Sequence, residues 1–427
     1  MGKMSGRAYR TNWVTSNSGS TQTLVKREEF LAKGSGHNVC CRALGANTEH
    51  TQTPIRRTDQ KRVQRPLRSS RDRNATLWVW RVARKTWPLA FLSLCLAVGT
   101  HGQTAPAADH HAHLQSPKAA QLLNDGARSN PTEIQETPEK PYAAKDLIAA
   151  LDAAGIHRAT ALSEAYLLAS KYAHPAHEEE TINEENDWTL QEVKQYPKRL
   201  VGFCSVNPIR AYALAAIKHC EQIGLRGGLK LHLAASSFEF TKVEEVHQLQ
   251  DVFREANRLR MPILIHLHPD DENWDGGRDS LTFFEQVLPL APDVPVQIAH
   301  MAGWGGYDQT ADAALSTLVE QCKLHAKVCE HLYFDISGVL VPSSAAQAAE
   351  GSDLRLLYER QKRFPEGPQR LIANIRKIGI ERILFATDWP VFDMKETVQL
   401  MRKDLPLTSA EIDQICRNVA PYFPAAD

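Results

Sequence analysis

The stretch Asp109-His-His-Ala-His113 places His111 and His113 two residues apart. In an extended strand such residues point to one face, so two imidazoles could chelate one ion. A His-x-His pair by itself equally fits a histidine cluster in an unstructured leader. Further along, His266 closes the apolar run Pro262-Ile-Leu-Ile-His266, and His300 closes Val294-Pro-Val-Gln-Ile-Ala-His300. Asp388 follows Arg382-Ile-Leu-Phe-Ala-Thr387. Taken singly, a His at a strand end is an ordinary hydrogen-bonding residue, and Thr387-Asp388 is an ordinary helix cap. Their joint placement at successive strand ends selects the chemical reading. Three neutral imidazoles with a carboxylate suit one divalent ion, Zn²⁺ or another first-row ion such as Mn²⁺, with an open position for water. Such an ion lowers the pKa of bound water to roughly 7 and polarises a carbonyl oxygen. Asp388 is then the expected proton acceptor. His300 is expected to steady a developing oxyanion or to protonate the leaving group.

Several neighbours compete with or complete this set. His268 points the same way as His266, but the Leu and Ile context favours His266; His110 is a spare imidazole beside the first pair. Lys230 and His232 share a strand face in Gly228-Leu-Lys-Leu-His-Leu233. They read as substrate-binding groups, or as an ion-pair partner and a wall residue. The segment Met301-Ala-Gly-Trp-Gly-Gly306 lets backbone come close to a ligand, and places Trp304 as a further substrate contact; it also fits a plain tight turn.

Positioning these groups requires many strand ends on one rim. From Lys145 onward, helical patterns alternate with short apolar runs, the mark of βα units around a parallel sheet. Ala144 to Ala154, closed by Gly155, leads to Arg158–Ser163. Trp188 to Gln195 leads to Leu200–Ser205, Ala211 to Ile223 to Gly228–Leu233, and Val243 to Arg260 to Pro262–His266. Leu281 to Leu290 leads to Val294–His300, Ala311 to Cys329 to Leu332–Ile336, and Leu371 to Ile378 to Arg382–Thr387. With a short strand before His111 there are eight, which predicts an α/β fold, a distorted (β/α)8 TIM barrel over residues 103–427 with catalytic groups at the strand ends. Polar excursions between Ser163 and Trp188 and between Ile336 and Leu371 are candidate lids.

At this point the sequence resembles the amidohydrolase-related group of metal-dependent barrel hydrolases in the amidohydrolase superfamily, over Asp109 to Phe423. The carriers are Asp-x-His-x-His at Asp109 to His113, Gly-Leu-Lys-Leu-His at Gly228 to His232, and Ile-Leu-Ile-His at Ile263 to His266. Ile-Ala-His-Met-Ala-Gly at Ile298 to Gly303 and Ala-Thr-Asp-Trp-Pro at Ala386 to Pro390 complete them. The resemblance implies that His111, His113, His266 and Asp388 ligate the metal and that His300 is a ligand or an orienting catalytic group. Binuclear relatives carry a carboxylated Lys where Lys230 stands; ligand count favours one ion.

The formal charge of zero conceals two halves, since residues 1–85 carry 18 Lys+Arg against 5 Asp+Glu and the remainder 32 against 45. Residues 1–80 read as a basic, disordered leader without the aromatic and fold signatures of a nucleic-acid module, so no nucleic-acid partner is expected. Residues 81–102, with Arg81, Arg84 and Lys85 before the apolar run Pro88 to Gly99, read as a signal peptide placed anomalously far from Met1, or else as a short buried element. The run is too short to span a membrane, so a periplasmic or secreted protein is expected. Cys95 only loosely fits a lipoprotein box. Cys204, Cys220, Cys322, Cys329 and Cys416, odd in number and without Cys-x-x-Cys, point to neither a disulfide framework nor a zinc finger.

The expected activity is hydrolysis of an amide, ester or lactone-type bond of a small molecule. Nonoxidative decarboxylation of an aromatic or unsaturated carboxylate uses nearly the same ligands and is the nearest alternative. A secreted, non-catalytic zinc-binding protein is a third. The partners expected are the small substrate and at most a second copy in a homodimer.

Overall fold

The structure is a computed structural model of the 427-residue chain; it describes residues 104–129, 140–268, 274–348, 350 and 352–424. The leader and the signal-like segment to residue 102 lie outside the described residues, as does Cys95.

Eight parallel strands stand in the order β1 (Ala108–Leu114), β2 (Arg158–Ser163), β3 (Leu200–Ser205), β4 (Gly228–His232), β5 (Ile263–His266), β6 (Val296–Ile298), β7 (Leu332–Asp335) and β8 (Ile383–Leu384). The ring is joined where the chain beyond β8 meets β1. The His110 amide donates to the Phe385 carbonyl (3.1 Å), the Asp388 amide to the His111 carbonyl (2.8 Å), and the His113 amide to the Trp389 carbonyl (2.8 Å). With helices between the strands, this is the (β/α)8 TIM barrel that the alternation predicts.

The helices follow their sequence patterns. In Ala144–Ala154, Ala144, Leu147 and Leu151 recur at helical spacing and are buried against the strands, and Gly155 ends the helix in the left-handed region (φ 71°). Three departures have physical causes. The helix expected from Trp188 begins at Glu178: Glu178, Glu179 and Glu180 sit in its first turn, where carboxylates favour the positive end of the helix dipole, so a polar run that reads as loop is helix. The helix expected over Leu281–Leu290 is instead Gly276–Thr282, started by the Asp275 cap, and continues as a π turn (Phe283–Val287) and a 3-10 turn with Pro289. The histidine pair stands inside β1 rather than after it.

The cysteines overturn the expectation that they form no disulfides. Cys204 in β3 is bonded to Cys220 in the helix Ala213–Ile223, and Cys322 to Cys329 across the end of Gln309–Leu324; Cys416 is free and buried. The first joins a strand to the helix that follows it and the second a helix to the loop beyond its end, proximities that counting and motif spacing do not reveal.

The main core fills the space between strands and helices. Inside the ring, Leu162, Phe203, Leu264 and Ala299 form a separate plug. A Cβ on Gly228 would stand 2.3 Å from the Phe203 ring, so this position of β4 admits only glycine beside that plug. The floor is closed by Ala108, Leu384, Ala420 and Phe423. Among the described residues no helix is long and apolar enough to cross a membrane.

Candidate active site

The register of β1 changes between Asp109 and Ala112, where three steps of β1 oppose two of β2, a β-bulge. It separates two adjacent histidines. His110 turns to the floor, where its Nδ1 donates to the Phe385 carbonyl (2.8 Å) and its Nε2 accepts from the Ala420 amide (3.1 Å). Burial pushes its pKa down to about 4. Both nitrogens are used, so His110 is a structural residue.

His111 and His113 face the cavity. His111 Nε2 and His113 Nε2 lie 3.2 and 3.1 Å from one oxygen, Asp388 Oδ1. These donors lie close enough to share one ion. Asp388 reaches them from a left-handed backbone conformation (φ 65°), strained for most side chains and best tolerated by Asp and Asn. His300 also sits in that region (φ 53°), in the turn directly after β6.

Behind the pair stands Asp335 at the end of β7, which sequence reasoning passes over. One of its oxygens lies 3.2 Å from His111 Nδ1 and accepts from Gln297 Nε2 (2.7 Å); the other accepts from the His300 amide (3.0 Å). His300 Nδ1 donates to the Ser337 carbonyl (2.8 Å). His111, His300 and Asp335 are a second grouping of potential metal ligands. Their facing atoms are already bonded to one another and to Ser337, which makes them a support for the first group. With Nδ1 of His111 and His300 held as donors, both Nε2 lone pairs face the cavity. Glu164, directly after β2, was also missed; it lies 3.4 Å from His113 Nδ1 and accepts from Gln115. A carboxylate inside an apolar strand, and one just past a strand end, are the sequence signals that could have found them.

Parallel register sets the far wall. His232 of β4 pairs with His266 of β5, so their rings stack with centroids 3.9 Å apart, and Tyr166 stacks on His232 at 5.0 Å. The Ala235 amide donates to His232 Nδ1 (3.2 Å), which leaves the His232 proton on Nε2. His266 lies 5.1 Å from His300, ring to ring, and is outside the His111, His113, Asp388 grouping. Its Nδ1 is nevertheless buried without a hydrogen-bond partner among the described residues. His268 packs instead on Trp274 (3.8 Å), away from the cavity lining. Lys230 Nζ donates to His111 Nε2 (2.9 Å). The cavity, about 640 Å³, is walled by these groups and by Tyr166, Trp304, Leu357 and Phe392. Both excursions contribute to it, and Arg360 stacks over Trp304 at 4.8 Å.

Burial lowers the pKa of His111 to about 3 and lowers those of His113, His232 and His266, which keeps the imidazoles neutral. Burial also lowers Lys230 to about 8, although Asp388 and Asp335 oppose the drop. Burial works to raise Asp388, but His111 and His113 outweigh it and hold the carboxylate well below its ordinary value. Neutral imidazoles, an ionised carboxylate and an orphaned nitrogen are a donor set that fits a divalent ion.

Nothing among curated proteins matches this sequence. Solved structures similar to it include a 5-carboxyvanillate decarboxylase from Sphingomonas paucimobilis (15% identity, 73% of this chain and 96% of that one, TM-score 0.49). Another is a 2,6-dihydroxybenzoate decarboxylase from Rhizobium (16%, 73% and 96%, TM-score 0.45). A third is an amidohydrolase from Burkholderia multivorans with bound HEPES (14%, 73% and 96%, TM-score 0.45). The model of the amidohydrolase family matches residues 108–420, from the first strand through the chain that closes the barrel floor, and the protein is therefore a member of the amidohydrolase family and an enzyme of that kind.

Proposed function

We propose that this enzyme hydrolyses an amide, ester or lactone-type bond of a small molecule with the help of one divalent ion, Zn²⁺ or another first-row metal. The observation that carries the reading is the convergence of His111 Nε2 and His113 Nε2 on Asp388 Oδ1 at the base of the cavity. The ligands are His111, His113, His266 and Asp388. The ion supplies water activation and polarisation of the substrate oxygen.

The protein supplies the rest. Asp388, kept ionised, takes the proton of the attacking water through its carboxylate. His300, whose Nδ1 is committed to the Ser337 carbonyl, presents Nε2 to the leaving group as the proton relay. Lys230 brings a positive charge to the base of the cavity and steadies negative charge on the substrate, while His232 donates from Nε2. Tyr166 and Trp304 flank the substrate and exclude water. Residues 81–102 export the barrel, a reading supported by two disulfides of the kind that persist in oxidising compartments.

The test pairs elemental analysis of the purified protein, His111→Ala and Asp388→Asn with a screen of amides, esters, lactones and carboxylates. Metal in the parent alone, with metal-dependent release of amine or alcohol, supports the proposal. Carbon dioxide release would replace hydrolysis by decarboxylation. Unchanged metal content in both variants would remove the site.

A further inference from the structure

One buried polar chain has no part in the proposed chemistry. It begins at the barrel floor, on residues 418–424, and ends on His111. Tyr422 Oη donates to Gln297 Oε1 (2.6 Å), and Thr160 Oγ1 donates to Tyr422 Oη (3.4 Å). Gln297, on β6 and buried, donates through Nε2 both to Asp335 Oδ2 (2.7 Å) and to the His110 carbonyl (3.2 Å). Asp335, also buried, meets His111 Nδ1 at 3.2 Å with that same Oδ2.

We propose that Tyr422 is a positioning residue for the reactive rim: its hydroxyl fixes the orientation of the Gln297 amide, and Gln297 in turn holds Asp335 so that His111 keeps its proton on Nδ1 and its lone pair on Nε2. The argument is one of satisfiability. An amide has an acceptor end and a donor end. Here the donor end faces two acceptors, a carboxylate oxygen and a carbonyl oxygen. If the amide turned over, its oxygen would face both and its NH2 would face the Tyr422 oxygen. The Tyr422 hydroxyl favours the first arrangement by donating to the oxygen end. Burial drives the Tyr422 pKa upward, so the hydroxyl remains a donor across the working pH range. The ring is separately anchored against Phe203 (5.1 Å) and Phe423 (5.3 Å), so it can be kept while the hydroxyl is removed.

This rests on the metal reading of His111 for one measurement only. Tyr422→Phe keeps the ring and deletes the hydroxyl. Phe423→Leu loosens the packing of the same tail while leaving every donor and acceptor of the hydrogen-bond chain in place, and serves as the packing control. In the full-length protein stripped of metal and carrying Lys230→Met, which removes the other group holding this tautomer, ¹⁵N NMR of the histidine side chains is expected to show His111 as a single Nδ1–H tautomer alone and with Phe423→Leu, and as a mixture with Tyr422→Phe. Titration with Co²⁺ is expected to show affinity weakened about 10-fold in Tyr422→Phe, the lower end of outer-sphere effects, with a changed visible spectrum; Phe423→Leu should leave both unchanged while lowering the unfolding temperature. An identical His111 tautomer with and without Tyr422→Phe would overturn the proposal, as would an equal change with Phe423→Leu. A parent that binds no Co²⁺ would instead defeat the metal reading, and the tautomer comparison would still decide the role of Tyr422.

Discussion

His111 keeps one imidazole nitrogen turned to the cavity, whereas His110, its neighbour in sequence, has both nitrogens bonded to backbone at the floor. The rim and the floor of the barrel use the same side chain for different ends. At the rim, neutral imidazoles and the ionised Asp388 carboxylate converge with one Lys among them, and Asp388 and His300 stand in strained backbone conformations. At the floor, Ala108, Leu384, Ala420 and Phe423 pack without charge, and the single imidazole there is spent on holding the ring closed. The difference lies in the partners rather than the residue type. A histidine whose two nitrogens are spent on backbone is architecture, and one whose Nε2 meets the Lys230 and Asp388 side chains at the cavity is chemistry. Strain at the rim is consistent with the tendency of functional sites to hold costly conformations that the surrounding fold supports.

Four measurements break or sharpen this contrast. The largest effect is expected at the rim: Asp388→Asn should lower kcat/KM by about 10³-fold or more, with the unfolding midpoint little changed, as steady-state kinetics and denaturant melts would show. His110→Leu should behave in the opposite way. It leaves the Ala420 amide without a partner and the Phe385 carbonyl with only its bond from the residue 110 backbone amide, at a cost of about 1–3 kcal/mol in stability, read by urea denaturation, yet retains the ability to bind metal. Comparable loss of metal in His110→Leu would erase the distinction between rim and floor. Asp335→Asn tests the layer between them, with an expected 10- to 100-fold weaker metal affinity by competition with a chelator.

The last test concerns pH and leaves the rim untouched. Glu185 lies buried beside the end of β1, accepting from the Ser116 amide, and burial raises its pKa to about 7. Its folded pKa is above the unfolded one, so its contribution is greatest below the ordinary Glu pKa of about 4.3 and declines as pH rises toward 7. Stability should fall by roughly 3 kcal/mol over that window, and Glu185→Gln should flatten the slope in melts at pH 5, 6, 7 and 8. An unchanged slope would show that Glu185 is charged in the folded protein.

Much of this contrast is legible in the sequence. Arg158–Ser163 and Leu200–Ser205 are strands over the predicted spans, because apolar runs between a helix stop and a turn leave little freedom. His111, His113, His266, His300, Lys230, His232, Trp304 and Asp388 all line one cavity, because barrel topology gathers strand ends. What escaped depends on contacts across the fold. Asp335 earns its place through His111, 224 residues earlier, and the fate of His110 turns on a bulge and on Ala420. The disulfides and the long helix from Glu178 escaped for local reasons, since neither pairing nor dipole compensation is visible to periodicity.

The ring is joined between the first strand and residues some 275 positions later. A polypeptide threaded out of a ribosome, or through a translocation pore, exposes the histidines of that strand long before Asp388 or the floor exists to receive them. Until residues near 420 have emerged, those imidazoles belong to an open chain, available to any stray cation or to a folding chaperone. The grouping of His111, His113 and Asp388 is therefore completed only when the last strand has docked on the first.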